Sequence, residues 1–480
     1  MKTFEYYDSL ENLTKSFSRQ GLQAKIDKEN LNVEFEGTTY TFNIVPTKLK
    51  NRSFSIAFFN QNGYLIKQIE QVSDEVLNRV NDACLEYSDL EIESIYRDMP
   101  LLYELGQENK GALKDVAIIW RDHFLEENVG LLNCLIQMGV KPSDILAIDK
   151  GDSTLHQFNI KNTFKKMGMN VNILDNSLVQ DIENHLDKTQ FVFDFINQRK
   201  NQKTLVIDDG ALVTKILKDK FDNIVAFLEL TEMGLRRINP MKAELLYPVL
   251  NVAKTTLKRK ITYPEISNSI FLRVLELIGA EKLVGRNVLV LGYGDLGEIL
   301  ADRLRSFGIN VSIYDTDIMK LIMAGEKGFR TFKDNVKAIK QTKPILIIGA
   351  SGYKSISEEM VQNLPDYAFV TAGATADLSF FKQFENDPQV CMKVEGLGSQ
   401  YKIFGKQITV LGNGRSVNLF GSEAIPNRAN DVFKTAIALT AKNAIKYEKQ
   451  LNNDVHLNTV EDWINESGIL EKYYDKYIGE

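Results

Sequence analysis

The sequence predicts an α/β protein in which two Rossmann-like parallel-sheet domains follow a small N-terminal α+β domain. From about Lys114 onward, apolar runs alternate with amphipathic helical stretches. In addition, the segment from Asn287 to Asp315 places a strand, a glycine turn, a helix, a second strand and an acid in that order. A chain of 480 residues is also too long for one ordinary hydrophobic core, which agrees with several domains.

The composition, 44% hydrophobic and 25% charged, is typical of a soluble globular protein. Lys and Arg total 58 against 64 Asp and Glu, so the net charge of −6 gives no reason to expect nucleic acid or a membrane surface as a partner. The N-terminal stretch lacks the apolar core of a signal peptide, and we expect a cytoplasmic protein. Cys84, Cys134 and Cys391 lack the spacing of a disulfide framework or a zinc site, so we expect buried thiols and no metal.

Residues 1–92 are predicted to form the N-terminal α+β extension. Alternating apolar positions predict strands, and polar amphipathic stretches predict helices. The expected elements are a helix over 8–19, a strand pair over 31–45, strands over 54–60 and 64–70, and a helix over 74–87. This part carries no chemical signature, and a protein partner is one role that it could serve.

Residues 93–264 are predicted to form a substrate-type α/β domain that residues 420–450 complete. Its expected strands are the runs VAIIW, DILAID, VNILD, TLVIDD and IVAFLEL. Parallel sheets place their chemistry at the carboxyl ends of the strands, where His123 follows the first run and Asp208 and Asp209 end the fourth. Either aspartate could cap the next helix, and we favour Asp209 as the site residue. The stretch 251–264 is expected to be a connection, with a helix over 265–280.

Residues 265–419 are predicted to form the NAD-binding Rossmann domain, because a strand is followed by the spacing G-x-G-x-x-G. Gly292 allows the tight turn, Gly294 lets the backbone approach a pyrophosphate, and Gly297 lets the helix pack closely on the strand. Asp295 and Leu296 begin a helix whose N-terminal N–H groups and dipole favour the phosphates.

An acid at the end of the second strand selects the cofactor. Asp315 lies 18 residues after Gly297 and can accept hydrogen bonds from the adenosine ribose hydroxyls, whereas it would repel a 2′-phosphate. NAD is therefore preferred over NADP. The alternative interpretation is a degenerate Rossmann unit that binds nothing, since glycines also serve plain turns.

Several short motifs in order resemble the S-adenosylhomocysteine hydrolase family over residues 95–447. Upstream they are DMP at Asp98, DHFLEENVGLL at Asp122, IDDG at Ile207, T-x-x-G at Thr231, NV at Asn251 and K-x-K at Lys258. Downstream they are GYGDLGEILADRLRSFG at Gly292, the stretch from Ile313 to Ala324, and GRSVNL at Gly414.

The resemblance implies NAD-dependent chemistry on a nucleoside. In that family NAD oxidises the 3′-hydroxyl of the adenosine moiety, the 4′ carbon–hydrogen bond becomes acidic, homocysteine is eliminated and water adds. By position, Lys258 matches the lysine that assists oxidation, His123 and Asp209 match catalytic groups, Glu127 matches an adenine-site glutamate, and Thr231 and Asn418 match cofactor contacts. Glu127 is expected on the same helical face as His123.

Other family positions are replaced, which puts ordinary hydrolysis in doubt. Thr262 and Tyr263 stand where the family has aspartate and asparagine, Ala374 and Ile425 replace two histidines, Leu125 replaces a threonine, and Leu230 stands at the catalytic glutamate, with Glu229 and Glu232 nearby. Each lost acid/base group costs roughly a hundredfold or more in rate.

The sequence therefore predicts NAD-dependent redox chemistry on a nucleoside-type hydroxyl substrate, with Lys258 as the base. One alternative is an NAD-binding pseudoenzyme that serves in a regulatory or scaffolding role. Another is a true hydrolase with relocated acid/base groups. The resemblance implies a homo-oligomer, and in the tail 451–480 the residues Lys472, Lys476 and Tyr477 are a loose analogue of a family lysine and tyrosine that reach the NAD of a neighbouring protomer.

Overall fold

The predicted α/β class with two Rossmann-like sheets is confirmed by a computed structural model of the protein. None of the helices among the described residues is long and apolar enough to cross a membrane. The structure describes residues 2–4, 14, 17–18, 22–27, 30–35, 38–46, 54–59, 86–152, 154–176, 178, 182–217, 221–279, 282–353, 355–374, 378–394 and 396–479.

The N-terminal extension contains an antiparallel sheet. Its strands lie in the spatial order Lys2–Phe4, Phe54–Phe59, Thr38–Pro46, Asn30–Phe35 and Gln23–Asp27. The strand pair expected over 31–45 and the strand expected over 54–60 are both present, whereas Gln23–Asp27 was not predicted. Of the predicted helix 8–19, the described Thr14, Phe17 and Ser18 are helical. The predicted strand 64–70, the predicted helix up to residue 85 and Cys84 lie outside the described residues.

The first parallel sheet forms from the five predicted apolar runs and two further strands. In spatial order they are Val455–His456, Val249–Asn251, Ile224–Glu229, Lys203–Asp208, Val116–Asp122, Ile145–Asp149 and Asn170–Ile173. Every residue of Val116–Asp122 is buried, as expected for a strand covered on both faces. The chain order reverses between this strand and Lys203–Asp208, which makes that point the topological switch point of the sheet.

Helices cover both faces of the first sheet and leave its carboxyl edge open. They are Asp89–Arg97, Pro100–Glu108, Glu126–Gln137, Gln157–Lys166, Gln190–Gln198, Leu212–Ile216 and Glu232–Ile238. The late helix Asn427–Lys446 returns to this unit and packs against Pro100–Glu108 and Glu126–Gln137. Residues that follow the second sheet in sequence therefore pack on the first.

The C-terminal helices Asn458–Glu466 and Ile469–Tyr477 pack on the same chain. The Tyr477 hydroxyl donates to the Asp431 carboxylate at 2.8 Å, and Lys472 Nζ lies 2.9 Å from Glu108 Oε1. Lys476 Nζ lies 2.6 Å from Glu104 Oε1. The three residues considered as an analogue of a swapped tail thus contact their own chain.

The second sheet contains the glycine turn. In spatial order its strands are Arg330–Phe332, Asn310–Tyr314, Asn287–Leu291, Leu346–Gly349, Phe369–Ala372, Lys406–Leu411, Gly398–Ile403 and Cys391–Val394, of which the last two pair antiparallel at the edge. Helices Tyr263–Ile278, Asp295–Ser306, Ile318–Glu326, Asn335–Thr342 and Glu358–Asn363 accompany them. The switch point lies between Asn287–Leu291 and Leu346–Gly349, directly after which Gly292 and Ala350 follow. Cys134 and Cys391 are free and buried, as expected.

The stretch expected as a connection over 251–264 is partly helical. Lys258–Thr262 forms a π-helical turn that continues directly into Tyr263–Ile278, so the helix begins earlier than predicted. Proline usually marks a break in a helix. Pro264, however, lies in the first turn of Tyr263–Ile278, where its missing N–H removes no helical hydrogen bond. The wide π turn buries the Lys258 side chain between the two sheets.

Candidate active site

A cavity of about 300 Å³ lies between the two parallel sheets and is lined by residues that follow strands of both. The predicted site residues that line it are His123, Glu127, Asp209, Thr231, Lys258, Gly294, Asp295, Leu296 and Asn418. The predicted cofactor residues Gly292, Gly297 and Asp315 do not line the cavity themselves. One concave site therefore collects side chains that the sequence separates by nearly 300 positions.

Lys258 is a buried cation of the cavity. Its side chain is 7% exposed, and its Nζ donates to the Leu230 carbonyl and lies 4.4 Å from the centre of the Phe433 ring. Burial lowers the pKa of this ammonium to about 8, although the carboxylates of Asp209 and Asp122 act in the opposite direction. A substantial fraction of Lys258 is thus the neutral amine near physiological pH, which is the form that a general base needs.

His123 belongs to a chain of hydrogen bonds along one wall. Its Nδ1 lies 2.5 Å from Asp152 Oδ2, and its Nε2 lies 3.1 Å from Lys150 Nζ, which also donates to the Asp209 carboxylate. Burial and the Lys150 charge oppose protonation of the imidazole, but Asp152 outweighs them and raises the pKa of His123. Burial also opposes ionisation of Asp209, yet Lys150 holds the pKa of that carboxyl well below its usual range.

Lys150 was missed by the sequence interpretation, although it follows the strand Ile145–Asp149 at the carboxyl edge where site residues are expected. It is 4% exposed, so burial and two partners fix its position. Asp122, His123 and Asp209 place metal-ligand atoms within 4.8 Å of one another, but Lys150 Nζ already donates to two of these side chains. An ammonium group therefore supplies the positive charge at this point.

Glu127 lies at another end of the cavity, among polar side chains. Asn430 Nδ2 donates to its Oε1 at 3.0 Å and Lys434 Nζ lies 4.0 Å away, while Oε2 is buried with no partner among the described residues. Burial raises the pKa of Glu127 to about 7. The expectation that it shares a helical face with His123 is wrong, because Glu126–Gln137 begins only after the non-helical segment 123–125. Both residues nevertheless line the cavity.

Thr231 and Asn418 are buried into hydrogen-bond networks. Thr231 caps the helix Glu232–Ile238 by accepting from the Gly234 N–H, and its hydroxyl donates to Glu229 at 2.8 Å. Asn418 Oδ1 accepts from the Ser416 hydroxyl at 2.8 Å. Asp208 accepts from the backbone N–H and hydroxyl of Thr214 and pairs with Arg121 at 3.7 Å. This geometry matches the expected division in which Asp208 supports a helix and Asp209 faces the site.

The replaced family positions all line the cavity, which locates the departures at the chemistry and not in the scaffold. They are Leu125, Leu230, Thr262, Tyr263, Ala374 and Ile425. Thr262 Oγ1 is buried with no partner among the described residues. Of the two glutamates near Leu230, Glu229 accepts from Thr231 and Gly210 behind the wall, whereas Glu232 lines the cavity 3.5 Å from the Tyr263 hydroxyl.

The glycine turn forms a cradle that side chains would fill. Gly292 has φ +107, and a Cβ there would lie 2.8 Å from Ser351 backbone atoms, while one on Gly297 would lie 2.1 Å from the Gly292 oxygen. Nothing lies within 4 Å of a Cβ on Gly294, which leaves space at the start of the helix Asp295–Ser306 for phosphate groups. These residues fit a dinucleotide.

The two acids of this turn differ in what they contact. Asp315 accepts from the Tyr293 N–H at 2.7 Å and from the Asp317 N–H at 2.9 Å, so it braces the turn while each oxygen keeps a second lone pair. Asp295 forms two hydrogen bonds with Arg259, at 2.6 and 3.0 Å. The Asp295 side chain is thus engaged within the protein, and its backbone N–H is the group left to meet a phosphate.

Residues 277–424 match the family model described as S-adenosyl-L-homocysteine hydrolase, NAD binding domain. This part of the chain is therefore similar to the NAD-binding domain of that family. The match confirms the predicted resemblance and the predicted nicotinamide cofactor. It also covers the glycine turn, Asp315 and Asn418, and so includes the second-sheet side of the cavity.

Curated relatives extend the likeness beyond this NAD-binding domain at modest identity. An adenosylhomocysteinase of Thermoplasma volcanium is 28% identical over 52% of this chain and 63% of its own length. An adenosylhomocysteinase of Pyrococcus abyssi is 26% identical over 78% of this chain and 88% of its own. An S-inosyl-L-homocysteine hydrolase of Methanocaldococcus jannaschii is 24% identical over 74% and 84%. The chain spans about three fifths of the length of the Thermoplasma relative.

Solved structures are similar at a lower level. A dipicolinate synthase from Bacillus halodurans has 13% sequence identity and a TM-score of 0.40, covering 68% of this chain and 99% of that chain.

Proposed function

We propose that this protein uses bound NAD to oxidise a hydroxyl group of a nucleoside-type or related small molecule, with Lys258 as the base. The observation that carries the proposal is the buried Lys258 amine, whose pKa of about 8 suits it to accept a proton near neutral pH. It lies in the same cavity as the helix start at Gly294, which belongs to the NAD-binding domain. The names of two relatives, adenosylhomocysteinase and S-inosyl-L-homocysteine hydrolase, each contain a nucleoside group, adenosyl in one and inosyl in the other.

In this proposal, separate residues bind the cofactor and accept the proton. When bound, NAD supplies the acceptor for the hydride that leaves the carbon of the alcohol. Gly294 and the first N–H groups of Asp295–Ser306 would hold the pyrophosphate, Asp315 the adenosine ribose, and Thr231 and Asn418 the part near the substrate. Lys258 Nζ takes the hydroxyl proton as the carbon–oxygen double bond forms. Burial of Lys258 beside Leu230 and Phe433 removes the hydration that would otherwise stabilise its ammonium form.

A complete hydrolase reaction needs more than this base. A leaving sulfur and an added water each require an acid/base group, and Ala374 and Ile425 supply none. One observation favours relocated groups, since Glu232 and Tyr263 line the cavity within 3.5 Å of each other. Hydrolysis through this pair is the second candidate function.

The three functions give different results in one experiment on the full-length protein. Bound nucleotide is released and quantified, and adenosine or S-adenosylhomocysteine is then added while NADH absorbance and free thiol are followed together. NADH without thiol supports the proposed oxidation. Thiol release supports relocated hydrolysis and contradicts the loss of that activity. Bound NAD with neither signal contradicts oxidation of these two nucleosides and favours an NAD-binding regulatory or scaffolding role.

Lys258→Met should lower the rate of NADH formation by about a hundredfold or more, because the proton acceptor is lost. The matched control is Lys260→Met, which removes an exposed lysine two positions away and should leave the rate within about twofold, as surface substitutions usually do. In the native protein the rate should rise as the pH passes through about 8, because the amine becomes neutral there. A rate that Lys258→Met leaves unchanged would show that another group is the base.

We also propose a cytoplasmic location, a homo-oligomer, and a protein partner for the N-terminal extension. Size-exclusion chromatography with light scattering measures the oligomeric state directly, and a monomer would contradict the homo-oligomer.

A further inference from the structure

We propose that Lys150, and not His123, is the residue that exchanges a proton with the substrate on its wall of the cavity, while His123 positions Lys150 and holds the exchanged proton. The inference rests on the proposed function for the substrate and on geometry alone for the pairing of the two side chains. It assigns a role to Lys150, a buried residue that the family resemblance leaves unassigned.

Both ring nitrogens of His123 are already engaged. Nδ1 lies 2.5 Å from the Asp152 carboxylate, which fixes the proton of a neutral imidazole on Nδ1. Nε2 then presents a lone pair, and Lys150 Nζ lies 3.1 Å from it. Each ring nitrogen thus already has a partner, so His123 has no nitrogen left for a substrate atom.

Lys150 keeps a donor for the substrate. An ammonium group has three N–H bonds, and the described contacts use two of them, one to His123 Nε2 and one to Asp209 Oδ1. Lys150 lines the cavity and is 4% exposed, so its remaining N–H is available to a molecule in the cavity and largely shielded from bulk water. Asp209 and His123 together hold Nζ in place, as a positioning shell does for a catalytic group.

His123 and Lys150 can share one proton. When Lys150 passes its proton to Nε2, the imidazolium is balanced by Asp152 on its other side, and Lys150 becomes a neutral amine beside the substrate. The amine then accepts a proton from a carbon–hydrogen bond next to the new carbonyl, and the electron pair of that bond moves into an enolate. In reverse the proton returns from Lys150 to carbon, so the step is balanced without any further reagent.

The charged groups around this pair are disposed for such a transfer. Asp152 contacts Nδ1 and is itself 3.6 Å from Arg415, Asp209 contacts Lys150, and Asp122 accepts from the His123 backbone N–H. Removing the Lys150 charge should therefore favour the imidazolium, since a nearby cation disfavours it.

The pairing is tested by nitrogen-15 NMR of histidine-labelled protein without any substrate. The chain has four histidines, and His123→Gln identifies the signal of His123. Lys150→Met should raise the pH at which His123 titrates by about 1 to 3 units, whereas Lys150→Arg keeps the charge and should shift it less. An unchanged titration in Lys150→Met overturns the pairing and with it the proposal.

The catalytic role is tested with adenosine as the probe and NADH absorbance and solvent-deuterium incorporation as readouts, after bound NAD has been quantified in each variant. Lys150→Arg should lower deuterium incorporation about a hundredfold, because guanidinium does not release its proton, and His123→Gln should lower it less and shift its pH profile. If His123→Gln removes more than Lys150→Arg, His123 is the proton carrier and the proposal is wrong. If native protein forms no NADH, the proposed oxidation of adenosine fails, and the NMR titration alone decides the pairing.

Discussion

The two sheets share the order of their first five strands, 3-2-1-4-5 in chain order, but different groups follow the strands at their switch points. At the switch point of the second sheet, Gly292 and Gly297 bring backbone close to backbone and leave space in front of Gly294. At the switch point of the first sheet, charged side chains such as Asp122, His123 and Asp209 follow the strands. One site is made of main-chain groups and the other of titratable side chains. The same kind of strand edge is therefore lined by backbone groups in one sheet and by ionisable side chains in the other, and the proposed function assigns cofactor binding to the first and acid/base chemistry to the second.

The difference also explains which parts tolerate replacement. A pyrophosphate site needs N–H groups and the absence of Cβ atoms, which few sequences satisfy, so the glycine turn retains its motif. A side chain on a cavity wall, in contrast, can be replaced without moving the backbone. Thr262, Tyr263, Ala374 and Ile425 line this wall.

Among substitutions at the backbone-lined site of the second sheet, Gly297→Ala should have the largest effect on stability and NAD affinity. The added Cβ would lie 2.1 Å from the Gly292 backbone oxygen, which no side-chain rotation relieves. We expect a loss of about 1 to 3 kcal/mol in the free energy of unfolding and at least a tenfold drop in NAD affinity. Denaturant unfolding and NAD titration measure both quantities.

The control for that substitution is Gly325→Ala in the helix Ile318–Glu326, where nothing lies within 4 Å of the new Cβ. It should stabilise the protein by roughly 0.5 to 1 kcal/mol, because alanine loses less backbone entropy in a helix than glycine. Equal effects of the two substitutions would mean that close packing at Gly297 does not define the cradle.

The backbone-lined site of the second sheet could be predicted from the sequence more fully than the side-chain site of the first. The strand, the glycine turn and Asp315 are local in sequence, and their arrangement is predicted because each follows from spacing along one βαβ unit. Lys150 does follow a predicted strand, but its contacts with His123 and Asp209 form only when distant segments meet. Asn430 enters the site from the late helix Asn427–Lys446, where no local pattern marks it. The π turn at Lys258–Thr262 was missed because Pro264 usually signals a break, whereas tertiary packing places it at the start of a helix.

A smaller effect should follow Asp315→Ser, which tests whether the acid selects NAD. Losing a charged acceptor for the ribose should weaken NAD binding about tenfold, since hydrogen bonds to charged groups contribute roughly 1.5 kcal/mol or more. NADP should bind better, because the repulsion of its 2′-phosphate is removed. The ratio of the two Kd values is the measurement.

Asp317→Ser is the matched control for Asp315→Ser. Asp317 is exposed and caps the next helix through the Met319 N–H, a role that serine also fills. The ratio of NAD to NADP affinity should therefore stay as in the native protein. A ratio that Asp315→Ser leaves unchanged would assign Asp315 to bracing the Tyr293 backbone and would move cofactor selection to other residues.

The smallest effect should follow Asp295→Ala, although Asp295 lies inside the glycine motif. Its carboxylate pairs with Arg259, whose side chain is 44% exposed, and exposed ion pairs contribute about 0.2 to 1 kcal/mol. The dinucleotide site is built from the backbone N–H of the helix start, which alanine also provides, and removing a negative charge near the pyrophosphate offsets the lost bridge. NAD affinity should therefore change less than about threefold. A tenfold loss would mean that the Arg259 bridge, and with it the π turn that carries Lys258, helps to hold the glycine turn in its binding geometry.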